Sequence, residues 1–93
     1  MVTVILTIRL ELPSVGSLKD KRRILKSMLV KLKNSFNISI AEVADNDVLR
    51  VATLGAAVVS NDPAFGDRVI AKVIDKIELN PEVIVSEINT ERY

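Results

Sequence analysis

Apolar residues recur at every second position at the start of the chain. Val2, Val4, Leu6, Ile8, Leu10 and Leu12 share one face, while Thr3, Ile5, Thr7, Arg9 and Glu11 share the other. Alternation of this kind, rich in β-branched types, predicts a strand over Val2–Leu12. Pro13-Ser14-Val15-Gly16 is a turn, after which the period changes. Leu18, Leu25, Met28, Leu29 and Leu32 fall at helical spacing and predict an amphipathic helix from Leu18 to Asn34. Ser17 is placed to cap it, with Asp20 in the position of the capping-box acid.

Period two returns at Phe36-Asn37-Ile38-Ser39-Ile40, with Phe36, Ile38 and Ile40 expected to face inward. Asp45-Asn46-Asp47 has the composition of a hairpin loop. Val51–Val59 reads as the next strand, with Leu54, Ala56 and Val58 on one face. Asp62-Pro63 starts a second helix, Asp as N-cap and Pro at the first position, where its missing N–H costs nothing. Phe65, Val69, Ile70, Val73 and Ile77 are expected on its inner face, and Asn80-Pro81 stops it. Glu82–Ile88 is the last expected strand, followed by a polar tail, Asn89–Tyr93.

The resulting order, β-α-β-β-α-β, is the split-βαβ pattern of an α+β sandwich. Right-handed crossovers place both helices on one face of a four-stranded antiparallel sheet. The first and third strands are then central and the other face of the sheet is open. The 93 residues suffice for one domain, expected to span 1–93, and contain no internal repeat or linker.

Composition narrows the chemistry. Hydrophobic residues make up 48% and charged ones 27%, which are globular proportions. No apolar run is long enough to cross a bilayer, and the first residues lack the pattern of a secretory signal, so the sequence reads as cytoplasmic with no membrane partner. Cysteine and histidine are both absent, which removes disulfides, thiolate zinc sites, the usual general base and the commonest metal ligand. No P-loop, dinucleotide fingerprint or nucleophile–base set emerges, and no cofactor is expected. The chain reads as a non-enzyme.

Charge is uneven along the chain. Lys19, Lys21, Arg22, Arg23, Lys26, Lys31 and Lys33 oppose Asp20 alone, giving the first helix +6 and leaving −5 for the rest. At about 100° per residue, Lys19, Arg23, Lys26 and Lys33 form one stripe with Arg22 at its edge. Clustered cations of this kind suit phosphate contacts. Cations in a first turn also oppose the helix dipole, a local cost that function can explain. The bland reading, a solvated basic face or one matched to an acidic patch on a second copy, carries about equal weight.

Two weaker features stand beside it. Glu42, Asp45 and Asp47 resemble a carboxylate cluster, and a metal-dependent hydrolase would use Glu42 and Asp47. Loop Asp residues more often bond their own backbone, however, and Glu42 is expected to face solvent or a partner strand. The open sheet face offers Thr3, Ile5, Thr7, Gly55, Ala57 and Val59, with no aromatic on which to stack a base, so an RRM is excluded. That face is apolar enough to suggest a homodimer, through it or through an edge strand.

Three stretches in order are similar to the YlxP-like family of small bacterial proteins: Ser17-Leu18-Lys19-Asp20-Lys21-Arg22-Arg23, Phe36-Asn37-Ile38-Ser39-Ile40-Ala41-Glu42, and Leu54-Gly55 with Ser60-Asn61-Asp62. Around Leu49-Arg50-Val51 the chain departs from the family pattern, in which an aromatic often precedes a polar pair. The resemblance implies a ferredoxin-like fold. It also implies an RNA-linked role, because family genes often neighbour those for translation and ribosome maturation, and it carries over no site residue. The expected function is a non-enzymatic module that docks its first helix on structured RNA or a ribosomal particle. Lys19, Arg22, Arg23, Lys26 and Lys33 would contact phosphates. The rival is a homo-oligomeric interaction or small-ligand regulatory domain using the open sheet face.

Overall fold

A computed structural model describes residues 1–93. Its elements are β1 (Val2–Glu11), α1 (Leu18–Ser35), β2 (Ser39–Ala44), β3 (Val51–Ser60), α2 (Pro63–Glu78) and β4 (Ile84–Arg92). All strand pairs are antiparallel and the spatial order is β2-β3-β1-β4, so the two strands richest in alternating apolar residues are the central ones. This is the ferredoxin-like βαββαβ sandwich.

The inner face follows the alternation. Val4, Leu6, Ile8 and Leu10 of β1 lie beside Ala52, Leu54, Ala56 and Val58 of β3, all buried. Ile24, Leu25, Met28 and Leu32 cover them from α1, and Ile70, Val73 and Ile77 from α2. Each large aliphatic side chain so buried contributes about 1.5–3 kcal/mol. Both caps form as the residues suggest: Ser17 Oγ accepts from Asp20 N–H at 3.1 Å, and Asp62 Oδ1 from Ala64 N–H at 3.0 Å.

Three expectations need correction. The second strand starts at Ser39, later than Phe36, because α1 runs to Ser35 and Phe36 N–H still bonds Leu32 O. Phe36 and Ile38 do pack on the core, but as the connector descending from the helix layer to the sheet. The last strand continues through the stretch expected to be a polar tail. β4 pairs with β1 as far as Arg92, and Thr3 and Tyr93 exchange both backbone hydrogen bonds at 2.8 Å. A sheet-edge strand with solvent around it can be polar on both faces and still be held by its ladder.

Phe65, expected inward, is half exposed and lies 6.0 Å from the Arg68 guanidinium. The inner position belongs to Gly66. A Cβ there would come within 2.8 Å of Val4 Cγ2, so α2 approaches β1 so closely that any side chain at that point would force Val4 or the helix to shift. No helix is long and apolar enough to cross a membrane.

Candidate functional site

α1 is the element on which the basic residues are gathered, and its two faces treat them differently. Lys19, Arg22, Arg23, Lys26 and Lys33 are all exposed, as the helical spacing predicts. Lys19, Lys26, Lys31 and Lys33 form no ion pair, whereas Arg22 Nη2 stands 3.6 Å from Asp47 and Arg23 Nη2 3.1 Å from Asp20. Those two pairs are solvent-exposed contacts, worth about 0–1 kcal/mol, and leave the cations free to exchange partners. The structure thus sets the five cations along one outward side of a single helix.

Lys21 does not belong with them. It occupies the middle of the apolar stripe, four, seven and eleven residues before Leu25, Met28 and Leu32, and is fully buried. Its ammonium donates to Asp45 O at 2.7 Å and Val48 O at 2.8 Å, with Asn46 O at 3.4 Å. Glu42 Oε2 lies 3.1 Å away at ion-pair distance, but off the hydrogen-bond line, and no donor is directed at it. Glu42 therefore faces the helix layer, not solvent or a partner strand. Its register explains this: Ile40 and Glu42 alternate onto the inner side of β2, opposite Ala56 and Leu54.

The β2–β3 loop is shaped to meet that ammonium. Asp45 takes a left-handed φ of 62°, a conformation Asp tolerates better than most residues. Its carboxylate Oδ2 accepts from Thr53 Oγ1 at 2.6 Å, fixing the turn whose carbonyls point at Lys21. Arg50 adds a second tie, Nε donating to Val15 O at 3.2 Å. Glu42, Asp45 and Asp47, considered above as a carboxylate cluster, are thus engaged with Lys21, Thr53 and Arg22 respectively, and no group of acids in the chain is arranged to hold a metal ion.

Sequence reasoning counted Lys21 in the +6 of the helix and left it out of the outward stripe, without placing it in the core. The signal that separates it was present: a lysine in the core stripe of an amphipathic helix, with a glutamate on the inward alternation of the neighbouring strand. It also missed the far flank of α1. There a cleft of about 380 Å³ runs between α1 and the end of α2, with Arg23, Lys31 and Lys76 around Met28 at its base and Leu79 on its exposed rim.

The helix and the strands that meet it lie within a span that one family model matches. Residues 3–90 match the family described as "Protein of unknown function (DUF503)". The chain belongs to this family. A curated relative, "Uncharacterized protein YlxP" of Bacillus subtilis (strain 168), is 35% identical over 68 residues, covering 73% of this chain and 74% of that protein. Among solved structures, the "De novo designed protein Foldit4" superimposes with a TM-score of 0.59 at 18% identity, covering 96% of each chain. The "De novo designed protein Ferredog-Diesel" gives 0.52 at 16% identity, covering 96% of this chain and 83% of that one. The two designed chains share the fold alone.

Proposed function

We propose that this DUF503 chain, acting as one domain, is a non-enzymatic RNA-binding module whose exposed α1 face docks on the phosphate backbone of structured RNA, free or in a ribosomal particle. The observation that carries the reading is the segregation of cations on α1. Lys21, the one cation of the segment that could not reach a phosphate, is buried and compensated, while Lys19, Arg22, Arg23, Lys26 and Lys33 stay outside. Six exposed cations against Asp20 on one rod make a field that attracts a polyanion, and each neutralised phosphate releases counterions. The stripe lies on a convex helix face and would contact the backbone, without base readout of its own.

The test is fluorescence anisotropy with a structured RNA across a salt series. With five contacts, affinity is expected to fall on the order of a hundredfold between low and moderate salt. Arg23→Glu with Lys26→Glu should weaken it further at every salt concentration. Unchanged binding in that double variant discards the reading.

A second reading rests on the open sheet face. Val59 and Val43 are 64% and 59% exposed beside half-buried Ile5 and Ala57, an apolar surface that a second copy could cover. Sedimentation of the wild type and Ile5→Lys separates the two: a dimer indifferent to salt and broken by Ile5→Lys favours self-association as the role of that face.

A further inference from the structure

A phosphate-docking role for the convex stripe of α1 would leave the concave flank unused. We propose that the cleft between α1 and α2 receives an unpaired nucleotide of the RNA held by the stripe, an inference that rests on the reading above. At about 380 Å³ the cleft is within the size range of small-ligand sites, roughly 300–1,000 Å³, but its lining is more polar than theirs, with cations and amide or hydroxyl groups around a narrow apolar base.

Arg23 joins the two surfaces, since it stands both in the stripe and on the cleft wall. Its guanidinium is held by Asp20 Oδ1 through Nε at 3.4 Å and Nη2 at 3.1 Å. The pair is exposed and exchangeable, so the guanidinium stands at the cleft wall with its flat faces accessible, and a guanidinium plane is one of the platforms on which splayed bases stack. The chain has no aromatic on this flank, so Arg23 is the available platform, with Met28 at the base and Leu79 on the exposed rim.

Two further cations face the same space from different helices. Lys31 comes from α1, and Lys76 from the last turn of α2, where its Nζ donates to Ser35 Oγ at 2.6 Å and is thereby kept at the cleft. A phosphate entering beside a stacked base meets both. Asn80 uses its Oδ1 to accept from Glu82 N–H at 2.9 Å, leaving the side-chain NH₂ free to donate to a base edge. Glu82 is the only acid on the rim, and it excludes neither a base nor a phosphate held by two lysines. An acidic peptide would meet the same cations but has no use for a flat platform. That difference decides between the two.

The experiment compares an RNA duplex with the same duplex carrying a one-nucleotide bulge, by anisotropy at fixed salt, with polyglutamate as competitor. Wild type should prefer the bulged RNA by on the order of tenfold, the effect of one stacked base. Lys31→Gln with Lys76→Gln, and separately Leu79→Asp at a position 82% exposed, should abolish the preference while duplex binding persists. Equal affinity of wild type for both RNAs, or a preference retained in both variants, overturns the inference and leaves the stripe reading standing. So does displacement of the bulged RNA by polyglutamate as effective as by unlabelled RNA. Absence of any RNA binding removes both.

Discussion

Lys21 and Lys26 stand five residues apart on the same helix and live under opposite rules. Lys21 is enclosed by the carbonyls of the β2–β3 loop and by Glu42, with every contact supplied from within the chain. Lys26 is exposed and makes none. Removing a buried cation strands its partners in a medium where they cannot be solvated, whereas removing an exposed one alters little but the surface field. The lesson is that charge counted along a sequence mixes two quantities, one that holds the fold and one that a partner can feel. They separate only when each residue is placed on the helix.

The largest break in this contrast comes from Lys21→Met. It leaves Glu42 and the loop carbonyls uncompensated and should cost about 3–5 kcal/mol, read as a lower urea midpoint at unchanged slope. Adding Glu42→Leu to Lys21→Met should restore part of that loss, since an apolar pair of similar volume no longer strands a charge. A double-mutant cycle showing no coupling between the two sites would place the cost elsewhere. Next in size, Gly66→Ala should lose about 1–3 kcal/mol by crowding Val4, a purely steric effect that gives the scale for the electrostatic one.

Ser17→Ala removes the cap at the start of the helix that carries both kinds of cation and should cost about 1 kcal/mol in thermal or urea unfolding. On the outer side, Lys26→Glu with Lys33→Glu should leave stability within about 0.5 kcal/mol while RNA affinity drops. A large loss of stability there would collapse the distinction. The smallest effect is expected at the opposite end of the sheet. The Tyr93 hydroxyl donates to Glu91, and that bond with the nearby negative charge raises its pKa above the ordinary tyrosine value. The neutral phenol is thus the form favoured by the fold. Its small stabilisation is complete below the unfolded pKa and lost as pH rises through the raised one. Spectrophotometric titration of this single tyrosine should show Glu91→Gln lowering the midpoint.

Most of the architecture was legible because burial imposes a period. β1, β3 and both helices carry one apolar side each, and their order with two right-handed crossovers leaves little freedom in the topology. The edges were less legible, for a physical reason. β2 and β4 are held on one side only, so their residues record solvent more than neighbours, and β4 was shortened to Ile88 although its ladder reaches Arg92. Phe65 was misplaced because Gly66 sets how near α2 can come, a fact about two elements that no single-helix pattern contains. At the candidate site the outward stripe followed from helical spacing. The cleft did not, since Lys31 and Lys76 meet only after α1 and α2 are laid side by side.

One further consequence lies at the free border of β2. Its open-face residues, Ser39, Ala41 and Val43, include no charge, and Glu42, which could have guarded that border, is turned inward to Lys21. Such a border ordinarily invites a second strand. Yet Arg22, Lys26 and Lys33 line the cleft that overlooks it. Two copies zipped border to border would bring those rows together at about the 8–10 Å spacing of neighbouring helices, inside or near the screening length of physiological salt. Rows of like charge set that close oppose the pairing of two copies through this border, and most strongly at low salt.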